Sequence, residues 1–216
     1  MVRAMVCVLV LCWWVASLEA APTPQEVLKK VEAFYRGITS VSGSFSQEVY
    51  WRKGLTVEAS SGRFWFEKPR RLRWEYLSPE RLLLVSDGKR VYFYVEADRQ
   101  VTILSPDKAF SRPVLKLLSG TGDLAQEFEI LSGVPEGPED YLLELKPRHE
   151  EQISRLRIRV HLPQGEIREV WYWDPLGNLT HLSLENLCVN PKIKPKLFVF
   201  VPPPEVEILD QTQGGS

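Results

Sequence analysis

The three histidines, His149, His161 and His181, are the first candidates for chemistry in this 216-residue chain. His149 stands beside Glu150 and Glu151 in a stretch that reads as a hairpin turn, and His161 and His181 fall in alternating strands. None has a second His or Cys at ligand spacing, so ordinary surface or half-buried roles outweigh a metal site. Ser42-Gly43-Ser44 lacks both the G-x-S-x-G spacing and the strand-to-helix turn of a nucleophile elbow. The carboxylate pairs Glu139-Asp140 and Glu150-Glu151 sit in turns, where solvated charge explains them better than acid–base work. No glycine-rich phosphate loop is present. The chain reads as a non-enzyme with no cofactor and no metal.

A second kind of chemistry is suggested between Ser61 and Gly88, where greasy and charged side chains take turns. Phe64, Phe66, Leu72 and Trp74 alternate with Arg63, Glu67, Arg71, Arg73 and Glu75. A period of two gives a sheet with one apolar face and one wet face. A sheet so rich in large apolar residues, in a chain with no catalytic set, suggests a container for something oily. The basic cluster Lys68, Arg70, Arg71 and Arg73 admits three readings. It could be a solvated strand face kept soluble by charge, or a nucleic-acid patch. In the third, parity places Lys68 on the face of Phe64 and Phe66, where an ammonium could donate to exposed helix carbonyls or to a polar head group.

The elements that would position these residues are legible in outline. Thr23-Pro24-Gln25-Glu26 is a helix start with N-cap, proline at the first turn and capping box. Val27, Leu28, Val31, Phe34, Tyr35 and Ile38 follow at helical spacing, opposite Lys29, Lys30, Glu32 and Arg36. From Val41 the period changes to two, and a meander of short-looped strands runs to Leu104, with Asp87-Gly88 as a hairpin signal. Between Pro106 and Asp123 the helical period returns, predicting one or two short helices. The meander then resumes at Phe128 and ends with an expected strand from Leu197 to Val201, while Gly133 to Asp140 reads as a linker. The fold class predicted is α+β, mainly antiparallel: a strongly curved unclosed barrel of about 11 strands with helices over its hollow.

Residues 1–20 read as a signal peptide: Arg3, an apolar run from Ala4 to Val15, then small residues up to Ala20. Residues 21–216 are then one exported domain. Cys7 and Cys12 leave with the leader, so Cys188 is the sole remaining thiol, expected as a small buried hydrophobe. Charged residues are 25% with a net charge of -1, which argues against nucleic acid as a partner.

GRFWFEKPRRLRWEY, then Pro79, then LLLVSDGKRVYFYVEADRQV resembles the LolA family of periplasmic lipoprotein carriers, within the LolA/LolB-like superfamily. VSGSFSQ (Val41 to Gln47) and LFVFVPPPEVEI (Leu197 to Ile208) add to the likeness. The resemblance implies an unclosed β-barrel lidded by helices over a hydrophobic cavity for lipoprotein acyl chains. It places cavity-wall residues at Leu72, Trp74, Leu82 and Leu84, beside the alternating Phe64 and Phe66, and the lid's inner face at Val114, Leu115 and Leu117. The family's basic residue before proline falls on Lys68, where Arg is commoner; it is expected to latch the lid, and lysine lacks the planar fork. Partners implied are an inner-membrane lipoprotein-releasing ABC transporter and an outer-membrane acceptor, with the carrier a periplasmic monomer. Three alternatives remain: a binder of free lipid or glycolipid in the same fold, the acceptor of the pair, disfavoured because the expected mature N-terminus lacks a lipid-bearing Cys, and a β-rich envelope sensor or interaction protein.

Overall fold

The change of period at Val41 marks the passage from one helix to one sheet. The computed structural model describes residues 21–52, 56–107, 123–149 and 152–212. Helix α1 (Pro24–Gly37) is capped as its sequence dictates: the Thr23 Oγ1 accepts from the Glu26 N–H, and the Glu26 carboxylate accepts from the Thr23 N–H at 2.7 Å. Those hydrogen bonds hold the Glu26 carboxyl below its ordinary range. The stripe Val27, Leu28, Val31 and Tyr35 is buried, and burial pushes the Tyr35 hydroxyl well above the usual tyrosine value.

Twelve strands follow: β1 (Ser40–Trp51), β2 (Thr56–Glu67), β3 (Arg71–Ser78), β4 (Leu82–Asp87), β5 (Val91–Val95), β6 (Gln100–Leu104), β7 (Phe128–Glu136), β8 (Asp140–Pro147), β9 (Arg155–His161), β10 (Glu166–Trp173), β11 (Leu179–Val189) and β12 (Glu207–Asp210). They make a single sheet in the order β12-β6-β5-β4-β3-β2-β1-β11-β10-β9-β8-β7, with free edges at β12 and β7, so the barrel is unclosed. All pairings are antiparallel except β12 with β6, which is parallel. A one-turn helix, α2 (Leu124–Glu127), capped by the Asp123 carboxylate, precedes β7. The middle helices expected before Asp123, with Val114, Leu115 and Leu117, lie outside the described residues, as does the leader 1–20.

The inner face carries the main core. Here α1 rests on β7, β8 and β10, and Leu143, Leu145, Leu156, Ile158, Val160 and Ile167 are wholly buried. Each such side chain contributes about 1.5–3 kcal/mol. The outer face of β3–β6 carries a second, smaller core. Val85, Val101 and Ile103 lie with Phe198, and the Phe200 ring sits 5.5 and 5.7 Å from those of Tyr92 and Tyr94.

The cover of that outer core differs from the strand expected at Leu197–Val201. Residues Pro195–Phe198 form a single 3-10 turn, and the chain then turns again at Pro204-Glu205, with Glu205 at φ 59, before entering β12. Pro195 and the Pro202–Pro204 run remove the N–H groups a ladder would need. The predicted linker at Gly133 is also strand, since β7 continues to Glu136 before a tight turn into β8. Cys188 is exposed rather than buried. An extra residue in β11 between Glu185 and Cys188, with Asn186 at φ 53, turns Cys188 to the outer side opposite Ser42.

Two strand glycines make room for rings. Gly62 lies opposite Phe45, and Gly43 opposite Phe64. A Cβ at 62 would sit 1.8 Å from the Glu75 carbonyl oxygen and 2.7 Å from the Phe45 ring. Gly62→Ala is therefore expected to cost about 3 kcal/mol, whereas Gly37→Ala, meeting nothing within 4 Å, should gain about 0.5 kcal/mol. Thermal unfolding followed by circular dichroism checks both. A Gly62→Ala protein as stable as its parent would contradict the close approach of Phe45 over β2.

Candidate functional site: the inner face and its basic clamp

Because β2 and β3 are antiparallel and in register, the alternation read in sequence becomes rows across the sheet. One row on the inner face runs Phe64, Trp74, Leu84, Phe93, Thr102 from β2 to β6. A second runs Phe66, Leu72, Ser86, Val91, Leu104, and a third Gly62, Tyr76, Leu82, Val95, Gln100. Burial falls along the first and third rows, while the second stays buried as far as Val91. Phe64, Phe66, Leu72 and Trp74 are buried, while Leu82, Leu84, Phe93 and Val95 are only half-buried. The six strand residues singled out from the sequence thus share one continuous face.

Trp74 is the hub of this face. Its ring lies 5.1 Å from that of Phe64, nearly parallel, and 4.5 Å from that of Phe45. Phe45 also meets Tyr76 edge-on at 5.0 Å, and the Tyr76 hydroxyl donates to the Gln47 Oε1 at 3.2 Å. Sequence reasoning missed Phe45 because β1 and β3 are not neighbours in the sheet. The signal lay in Gly62: a glycine inside an alternating strand marks close approach by something else, here the Phe45 ring reaching across β2.

Lys68 follows the parity reading. It continues the inner-face series of Phe64 and Phe66, and its backbone N–H donates to the Thr39 carbonyl at 2.9 Å. Its Nζ donates to the Tyr35 and Arg36 carbonyls at 2.6 and 3.0 Å. Those are orphan carbonyls of α1's last turn, where a cation is favoured by the helix dipole. Partial burial, and secondarily the Arg36 charge, pull the Lys68 ammonium below its ordinary value. The partner is thus α1, which reaches the β2–β3 turn from β7, β8 and β10.

Ser86 buttresses the clamp and was not singled out from sequence. It is wholly buried; its Oγ donates to the Arg70 carbonyl at 2.6 Å and accepts from the Gly88 N–H at 3.2 Å. The Asp87 carboxylate accepts from the Lys89 and Arg90 N–H groups. The S-D-G run therefore ties the β4–β5 hairpin to the loop that carries Lys68. A serine on the apolar parity of β4 was the available signal.

The arginines beside Lys68 do not make a free basic patch. Arg70 pairs with Asp107 at 2.8 Å, Arg71 with Glu67 at 2.9 Å, and Arg73 with Glu75 while reaching the Leu197 carbonyl. The histidines are likewise in polar contacts of the sheet. His161 is buried against Asp140 at 3.2 Å, His181 meets Glu169 at 2.7 Å and stacks on Trp171, and His149 is exposed. Among the described residues no three His, Cys, Asp or Glu side chains converge as metal ligands.

The family model described as "Outer membrane lipoprotein carrier protein LolA" matches residues 36–201. An outer-membrane lipoprotein carrier protein of Alkalilimnicola ehrlichii is 35% identical, covering 84% of this chain and 82% of its own. That of Methylococcus capsulatus is 32% identical, covering 96% and 97%. A solved structure, an uncharacterized conserved protein from Thermus thermophilus, overlays with a TM-score of 0.55 at 15% identity over 87% of this chain and 98% of its own, a likeness of fold alone. With the family model spanning most of the chain and two such relatives matching over more than four-fifths of each chain, the chain belongs to the LolA family of outer membrane lipoprotein carrier proteins.

Proposed function

We propose that this protein shelters lipoprotein acyl chains against the inner face of β2–β6 and ferries them, as a periplasmic monomer, from the inner to the outer membrane. Cargo would come from an inner-membrane lipoprotein-releasing ABC transporter and pass to an outer-membrane acceptor. One observation carries this reading. The inner face is densely covered by α1 over β7, β8 and β10, but Leu82, Leu84, Phe93 and Val95 on β4 and β5 are only half-buried. A soluble protein seldom leaves a contiguous apolar patch half-covered without a use for it. Cargo of this kind needs shelter, because exposing an acyl chain to water costs about 0.8 kcal/mol per methylene. No helix among the described residues is long and apolar enough to cross a membrane. The relatives' name, outer-membrane lipoprotein carrier protein, supports the same reading.

Lys68 is the latch of this scheme. By clamping the Tyr35 and Arg36 carbonyls it holds α1 at one end of the apolar face, and Val114, Leu115 and Leu117 would supply the inner side of the lid. A half-buried ammonium with two short bonds suits a clamp that opens and recloses.

Leu84→Glu, which adds a charge to a half-buried position on the proposed wall, is expected to lower uptake of a fluorescent fatty-acyl probe at least tenfold while far-ultraviolet dichroism keeps its sheet signal. Retained uptake would remove β4 from the site. Lys68→Leu should change the rate of lipoprotein transfer to an acceptor by about fivefold or more, given two charge-assisted bonds lost; an unchanged rate would rule the latch out. Lys68 should also titrate below the ordinary lysine value of 10.5, read from its Cε carbon shift by NMR. Between the folded and unfolded values the folded chain holds fewer protons at this site, so this residue's contribution to stability rises with pH there. A midpoint at or above 10.5 would contradict the dominance of burial at this ammonium and show that its bonds to the α1 carbonyls outweigh it.

A further inference from the structure

Among the described residues, one inner-face aromatic has a buried polar atom with no hydrogen-bond partner. The Tyr35 hydroxyl accepts from the Ile167 N–H at 3.2 Å, and that of Tyr76 donates to Gln47. Trp74, only 7% exposed, has an indole Nε1–H that is fully covered and meets no acceptor. Glu144, whose Oε1 is also covered, at least has the Arg155 guanidinium 3.1 Å away to balance its charge. Nothing comparable among the described residues stands near Trp74: the rings flanking it are Phe45 and Phe64, and its partner across β4 is Leu84. A buried donor with no acceptor is costly and rare, and calls for an explanation. Phenylalanine would keep an aromatic ring against Phe45 and Phe64 without that burden, so the N–H itself calls for a role.

The row in which Trp74 stands points to what the donor is for. Beyond it, Leu84 and Phe93 are half-buried, so the row opens toward β4 and β5 and closes at Phe64. A hydrocarbon chain lying over Leu84 and Phe93 has nothing to offer an N–H, whereas the carbonyl that joins the chain to its parent molecule accepts a hydrogen bond. We propose that Trp74 is the specificity-determining residue of this face, its indole N–H donating to the ester or amide carbonyl of a lipoprotein acyl chain and so selecting acylated over merely oily ligands. This rests on the carrier reading above and adds to it a recognition element that fixes how deep the chain lies.

The test compares a dipalmitoyl glycerol with its dihexadecyl ether analogue, which has the same chains but no carbonyl. With 15N-tryptophan-labelled protein, and the Trp74 indole signal assigned by its loss in Trp74→Phe, the ester lipid should move that indole proton downfield and slow its exchange; the ether lipid should not. Affinity should favour the ester by about fivefold, the worth of one neutral hydrogen bond, and Trp74→Phe should bring the ester-to-ether ratio to about one. Using the ratio makes the reading independent of any packing lost in the variant. Equal binding of both lipids by the parent protein, or a ratio unmoved in Trp74→Phe, overturns the donor role while leaving the carrier reading intact. Failure of both lipids to bind overturns both readings. A diacylglyceryl-cysteine peptide run alongside should bind more tightly than the glycerolipid; the reverse order would overturn the assignment of the carbonyl to a lipoprotein.

Discussion

The constraint on which this architecture turns is that strands β4 to β6 are apolar on both sides. Leu82-Leu83-Leu84-Val85, Val91 to Val95 and Val101 to Leu104 are nearly continuous hydrophobic runs, unlike the clean alternation of β2 and β3. A strand of that kind needs two covers. The outer one is supplied by the chain's own end: Phe198 and Phe200 lie on the face of Val85, Val101 and Ile103, and β12 adds to the β6 edge. The inner one is incomplete among the described residues, since α1 lies over the other half of the sheet. That asymmetry sets a covered outer face behind an inner one that, among the described residues, is only partly covered.

The clamp at Lys68 follows from the same geometry. The β2–β3 turn falls where α1 ends, so the residue after Glu67 meets the two carbonyls that no helix can satisfy internally. Any long cation there would gain from the helix dipole. Lysine reaches both oxygens from a single point, with less geometric demand than a guanidinium fork would make. The tether to α1 is therefore directional but compliant, and Ser86 fixes the loop on which it is mounted.

Much of this was legible in the sequence because it is local. The capping box at Thr23 and Glu26 is a four-residue pattern, and α1 begins where that pattern places it. Parity along β2 put Phe64, Phe66 and Lys68 on one face without knowledge of any partner. What was not legible depends on pairings distant in sequence. Strand β12 exists only because β6 offers an edge 107 residues away at Gln100 and Glu207, and Pro195 hides the turn that carries Phe198 there. Cys188 looked buried because Leu187 and Val189 flank it, yet the bulge at Asn186 shifts the register and turns it outward. Phe45 escaped notice as a site residue for a related reason: its contact with Trp74 crosses a whole strand through the gap at Gly62.

The energetics of carrying a lipid explain why an imperfect face suits the task better than a finished one. A long acyl chain transferred whole into a dry, fitted cavity gains about 0.8 kcal/mol for each methylene, and over such a chain the sum would make release slower than any useful transfer. Half-covered residues such as Leu84 and Phe93 are already partly shielded before cargo arrives, so each contributes only the remainder of its burial. Under the proposed function, a layer that had to be displaced would subtract further, since the ligand would compete with it for one apolar surface. Under that proposal the make-up of the face would hold affinity low, and discrimination would have to come from directional contacts. The inner face holds few groups able to make one, and the buried indole of Trp74 stands where the covered and half-covered parts meet.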